Sequence, residues 1–255
     1  MKRHDAIKAV TQAIKADGLA DALFLKGSIA RGDDDDYSDV DMYAVVAEEN
    51  FDNFLARRVG YLEAYKPLVN WVEVNFVGPQ IVGIYEDALH FDLYAVRPGA
   101  IPQTGEMKII YDQQGLLAKY KPEPLALSES DLLGHINNFT YTLVEIEAAL
   151  GRNDLSRGIQ LFYYQYGVLA LIIRYVYDKK SSLLGNKGMK KAIPPDVYNE
   201  LLVMLEHATP TNFIKAVHML LRQFENTLPK LPQPVQDAIN KRFYEVLSSR
   251  VYVLG

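Results

Sequence analysis

The chain has 255 residues, 49% of them hydrophobic, and no cysteine. That suits one large or two small folded domains and excludes disulfides, thiolate metal sites and a cysteine nucleophile. The net charge of −5 is uneven: residues 1–127 carry 13 Lys/Arg against 20 Asp/Glu (−7), and residues 128–255 carry 14 against 12 (+2). An acidic first half disfavours a nucleic-acid partner and admits a cationic small molecule. The start of the chain lacks a signal-peptide pattern, and the most apolar run, Gly167 to Tyr177, is too short for a bilayer. No membrane is therefore expected, and a cytoplasmic location is.

Ile7, Val10 and Ile14 recur at helical spacing within residues 5–17, and Gly18 stops that helix. Ala22–Lys26 is a short apolar strand leading into Gly27-Ser28, a turn that opens a short helix with a loop over Ile29–Asp36. The consecutive aspartates Asp33–Asp36 point in different directions, which reads as a solvated acidic loop rather than a metal site. Asp39–Val46 is the second strand, and a helix runs from about Phe51 to Tyr65. Asn70–Val77 reads as a strand, and Gln80–Tyr85 with Leu89–Val96 as an antiparallel pair turning at Glu86-Asp87. Asp92 is a lone charge between apolar neighbours on a strand that should be central. A looser, proline-punctuated stretch holds a short strand at Lys108–Tyr111. The domain boundary falls near 122–130, where Ser128 or Ser130 can cap a helix.

From there the pattern is helical. Leu132, Ile136, Phe139, Leu143, Ile146 and Leu150 form one stripe, ended by Gly151 and Asn153. Leu155 to Tyr177 is apolar on most sides and reads as the buried central helix of a bundle. Its polar stripe of Gln160, Tyr163, Tyr164, Gly167 and Arg174 is either a pocket wall or buried hydrogen bonding. Gly185–Gly188 is a basic loop. Pro195–His207, Asn212–Asn226 and Val235–Leu247 read as three more helices. The five histidines, His4, His90, His135, His207 and His218, show no metal spacing and read as structural or exposed.

Alternation along a strand sends Asp39 and Asp41 to the same side, ~7 Å apart. A facing residue such as Asp92 on a paired strand comes within ~5 Å. Two carboxylates ~4 Å apart repel by ~4 kcal/mol at an effective dielectric of about 20, so three converging acids call for a divalent cation. Oxygen-only ligands select a hard ion such as Mg²⁺, which shares oxygens with a nucleoside triphosphate. Asp39, Asp41 and Asp92 are thus candidate metal ligands and catalytic residues. The plainer alternatives make Asp39 a cap or turn residue and Asp92 a polar residue on an exposed face. Ser28 would hold a phosphate through its hydroxyl and N–H, a geometry shared with an ordinary helix N-cap. Arg31 would pair either with phosphate or with the local aspartates, and Ser38 reads as a turn residue. Glu147 lies next to Leu143 and Leu150 on the packing side of its helix. It is either an acid in a substrate pocket or a residue at the stripe's edge reaching water.

Gly27-Ser28-x-Ala30-Arg31-Gly32 followed by Tyr37-Ser38-Asp39-x-Asp41 resembles the nucleotidyltransferase superfamily signature, Gly-Ser-x10-Asp-x-Asp. In its closer wording it resembles the antibiotic nucleotidyltransferases, which include the lincosamide and aminoglycoside adenylyltransferases. Arg152–Gly158, the aromatic helix after it and Lys187-Gly188-Met189-Lys190-Lys191 resemble their helical second domain. The resemblance implies the triad Asp39, Asp41 and Asp92 on Mg²⁺, and transfer of AMP from ATP to a hydroxyl of such an antibiotic. It places Gly27, Ser28, Arg31 and Ser38 on the nucleotide side. Lys187 or Lys190 would approach the triphosphate unless the loop is simply solvated. Asp92 or a carboxylate of the helical domain, Glu147 being the candidate, would serve as general base. A homodimer is also implied. The expected fold is α+β: a nucleotidyltransferase-type mixed β-sheet with helices over residues 1–127, then a helical substrate-binding or dimerisation bundle over 128–255, with the active site in a cleft between them. Alternatives are a nucleotide-binding module without turnover, and transfer to a protein or RNA.

Overall fold

A computed structural model of the protein describes residues 2–75 and 78–254. The chain divides into two compact units, Met1–Pro124 and Leu125–Gly255. The fold class is α+β, and the six strands found among the described residues all lie in the first unit.

The first unit is built on one mixed sheet. Its strands are β1 (Ala22–Leu25), β2 (Val40–Val45), β3 (Leu68–Asn75), β4 (Pro79–Tyr85), β5 (His90–Val96) and β6 (Lys108–Asp112), ordered β3-β4-β5-β2-β1-β6. The β2–β5 pair is parallel and every other pair antiparallel. Phe76 and Val77, expected to extend β3, lie outside the described residues. Alternation divides the central strands between two faces. Leu23, Leu25, Met42, Ala44, Phe91, Leu93 and Ala95 pack with two helices, α1 (Lys2–Asp17) and α3 (Phe51–Glu63). The other face carries Ala22, Phe24, Tyr43, Val45, Tyr94 and Val96, partly covered by Leu117, Ile101 and Met107. Phe24, Tyr43 and Tyr94 form a continuous stack, with ring centroids 5.0 and 4.1 Å apart.

Lys26 ties residues 102–120 onto that second face. Its buried ammonium donates to the carbonyls of Pro102 (3.0 Å) and Gly105 (3.4 Å) and to the Tyr120 hydroxyl (3.1 Å). Burial pulls its pKa below the ordinary lysine value, against the opposing charge of Glu106. Lys26→Met removes these bonds and leaves acceptors without a donor. It is expected to destabilise the unit by about 2 kcal/mol, read as a lower urea midpoint at unchanged denaturant slope.

The second unit is helical. Ser128 caps α4 (Glu129–Gly151) by accepting the Asp131 N–H, and Asn153 turns the chain with φ +56 before α5 (Leu155–Tyr177). Four further helices follow the α6 turn (Met189–Ala192): α7 (Pro195–Glu206), α8 (Phe213–Thr227), α9 (Gln233–Ala238) and α10 (Lys241–Tyr252). The single helix expected over 235–247 is thus two. Asn240 accepts the Phe243 N–H and starts a new helix there. The core joins α4, α5 and α8: Phe139 stacks on Phe224 at 4.0 Å, and Gly158 leaves room for Phe213, whose ring lies 2.7 Å from where a Cβ would stand. The expected burial of α5 holds for its second half. In its first half Gln160, Tyr163 and Tyr164 are exposed. Arg174 is buried and donates to the carbonyls of Gly185 and Lys187, pinning the 185–188 loop. Among the described residues, no helix is long and apolar enough to cross a membrane.

Candidate active site

The parallel pairing of β2 with β5 sets Asp41 directly opposite Asp92. Partners in such a ladder share a face, here the one bearing Tyr43 and Tyr94, so the two carboxylates stand side by side at the end of the aromatic stack. Asp92 is buried. Gly27 follows β1 with φ +67, and a Cβ there would lie 2.1 Å from Asp41 Oδ2. Glycine is needed at this turn twice over, for its backbone conformation and for the acid packed against it.

The short helix α2 (Gly27–Arg31) opens at this turn. Its N-cap position is Lys26, so Ser28 is not the cap; it is buried in the first turn, and its carbonyl accepts the N–H groups of Gly32 and Asp33. Arg31 pairs with Asp33 at 3.0 Å, the local-aspartate alternative. Ser38 donates to Asp35 Oδ1 and accepts the Asp35 N–H, as a turn residue does. Within the acidic loop Asp33, Asp34 and Asp35 have separate partners, Asp34 pairing with Arg3.

Asp39 lies one residue ahead of the first paired position, Val40, so the ladder does not fix its side chain as it fixes Asp41. Among the described residues, no group of three or more His, Cys, Asp or Glu side chains is placed to hold a metal ion. What the ladder fixes is the in-register pair Asp41 and Asp92, with Asp39 adjoining it in the chain. No lysine or arginine pairs with Asp39 or Asp92 among the described residues.

His90, which the sequence reads as structural or exposed, is a direct partner of Asp92. Its Nε2 lies 2.8 Å from Asp92 Oδ1. That hydrogen bond raises the imidazole pKa against the effect of burial, and the charges of Asp92, Asp39 and Asp41 raise it further. Burial first, then the charge of Asp41, pushes the Tyr43 phenol above its ordinary value, and burial first, then Tyr43 and the charges of Asp92 and Asp41, does the same to Tyr94. These mutual influences bring His90, Asp39, Asp41 and Asp92 into one electrostatic neighbourhood. The signal was available: His90 and Asp92 are two apart on a strand, hence on the same face.

The remaining candidates belong to the second unit. Lys187 is exposed, and its carbonyl is held by Arg174. Glu147 is gripped by Arg250 of α10, whose Nε lies 2.8 and 2.9 Å from the two carboxylate oxygens. Those bonds hold the Glu147 carboxyl below its usual range. A group with a depressed folded pKa contributes stability above its unfolded pKa and loses it as pH falls through the folded value. Glu147→Gln is expected to lower the melting temperature by ~1–3 °C near neutral pH and to have no effect in acid below the carboxyl's lowered folded pKa. An equal loss at both would contradict the pairing.

No family model matches the sequence, and no curated protein does. Among solved structures, the chain is similar to an aminoglycoside 6-adenyltransferase from Bacillus subtilis, with 12% identity, a TM-score of 0.43, and 98% of this chain and 96% of that one covered. It is also similar to a spectinomycin adenyltransferase from Enterococcus faecialis solved with ATP and spectinomycin, with 12% identity, a TM-score of 0.33 and 98% of each chain covered. Likeness at this level assigns no activity.

Proposed function

We propose that this chain is a Mg²⁺-dependent nucleotidyltransferase that moves AMP from ATP to a hydroxyl of a small molecule of the lincosamide or aminoglycoside class. The observation that carries the reading is the register of Asp41 against Asp92 with Gly27 closed onto Asp41. The donor set fits the ion, because adjoining carboxylates without thiolates select a hard cation. Asp41 and Asp92 would hold it, with Asp39 completing the set. Bound there, Mg²⁺ supplies charge neutralisation for the triphosphate and the departing pyrophosphate.

The chain's own groups do the rest. The Gly27-Ser28 turn offers backbone N–H groups and a hydroxyl to a phosphate. His90 fixes the orientation of the Asp92 carboxylate through its hydrogen bond. Of the two acids considered as general base, Glu147 is the weaker, since Arg250 depresses its basicity. Asp92, beside Asp41, is the remaining candidate. The acidic first unit suits a cationic acceptor.

The test is pyrophosphate release with each of the four nucleoside triphosphates, across panels of aminoglycosides and lincosamides with Mg²⁺ present. Release that requires one acceptor class supports the reading. Nucleotide binding by calorimetry with no release for any acceptor would leave a binding module instead. Release with a protein or RNA acceptor alone would move the substrate class.

A further inference from the structure

The groove between α7 and α8 gathers groups that the proposed chemistry does not use. Lys215, His218 and Arg222 follow one another on α8 at spacings of three and four residues, which puts them on one face. His207, at the C-terminal end of α7, joins them around a cavity of about 370 Å³. The rest of its wall is apolar, formed by Val203, Ile214 and Met219, and no acid lines it. None of the four basic side chains enters an ion pair among the described residues. An adjoining hollow shares Met219 and Arg222 and is also lined by Glu200, which forms no ion pair with Arg222 among the described residues.

A second observation points the same way. His218 Nε2 is buried and has no hydrogen-bond partner among the described residues. The ring is braced by Tyr252, whose ring centroid lies 5.1 Å away. Buried polar atoms in folded proteins are nearly always partnered, and an orphan asks for a water, an ion or a ligand.

We propose that this groove binds an organic phosphate monoester. The dianionic head lies on Lys215, Arg222 and His207, with the His218 ring turning its enclosed Nε2 toward it, and the apolar body lies on Val203, Ile214 and Met219. Two permanent cations with two ring nitrogens match the charge and the oxygens of a phosphate better than those of a single carboxylate. All these residues lie in the second unit and none in the candidate active site, so the inference stands apart from the proposed reaction.

The experiment titrates the full chain with phenyl phosphate, following heat and the imidazole nitrogen resonances of His207 and His218. Inorganic phosphate forms a second arm. Asp41→Asn, which disables the other phosphate-binding candidate, is run beside the wild type. Binding of one equivalent in both proteins, with the His218 Nε2 resonance moving, is the expected result. Inorganic phosphate should bind about tenfold more weakly for want of the apolar contact. The double variant Lys215→Gln/Arg222→Gln should weaken phenyl phosphate by about tenfold or more at an unchanged melting temperature. A stationary His218 resonance at millimolar phenyl phosphate, or undiminished affinity in the double variant, would overturn the site. Equal affinity for inorganic phosphate would overturn the organic body. A concentration-dependent dimer that shields these resonances would make the groove an interface between copies and overturn the ligand.

Discussion

Asp92→Asn is expected to cut pyrophosphate release about a thousandfold or more while the melting temperature stays within a few degrees of wild type. Asparagine keeps the shape of the side chain and an oxygen for His90, so the bond at 2.8 Å can persist. What disappears is one negative charge opposite Asp41. Two carboxylates ~5 Å apart repel by ~3 kcal/mol at an effective dielectric of about 20, so neutralising one does not weaken the sheet. Asp41→Asn should give the same split between activity and stability. The pair of measurements is steady-state release and calorimetric melting. A loss below about tenfold in either variant would take these acids out of the chemistry.

Gly27→Ala should be nearly as damaging, and for a steric reason. The new methyl would stand 2.1 Å from Asp41 Oδ2, so the carboxylate or the turn must move. The left-handed backbone at φ +67 adds a cost of about 1–2 kcal/mol for a residue with a Cβ. Misplacing one acid by about 1 Å is enough for a hundredfold loss of turnover. Gly32→Ala is the control. It shares the backbone cost at φ +77 but meets nothing within 4 Å. It should lower the melting temperature by a similar amount and leave turnover near wild type. Equal activity in the two variants would show that Gly27 serves the backbone alone.

Much of this geometry could be read from the sequence because strands alternate and helices repeat. Asp92 between Phe91 and Leu93 marked a central strand, and the ladder does pair it with Asp41. Ser128 and Asn153 bracket α4 as their side-chain chemistry suggests. Asp39 was harder, since its direction depends on where pairing begins, and Val40 is the first paired residue. Ser28 illustrates another limit: the helix starts two residues earlier than its capping chemistry implies, with Lys26 extended ahead of it. Glu147 sat close to the packing stripe in the helical projection. Its partner, Arg250, is 103 residues away in sequence, and nothing local announces it. The break between α9 and α10 was missed because Asn240 interrupts an apolar period that otherwise continues. His90 was passed over for lack of a metal-spacing motif, although its place two residues before Asp92 was informative.

The two units close separate cores, and the single tryptophan of the chain, Trp71, is on β3 of the first, half in solvent. Its emission therefore follows the sheet-bearing unit, whereas far-ultraviolet dichroism is weighted toward the helical one. A denaturation monitored by both signals has no obligation to trace a single curve. The molecule carries its own optical label, able to tell which half melts first.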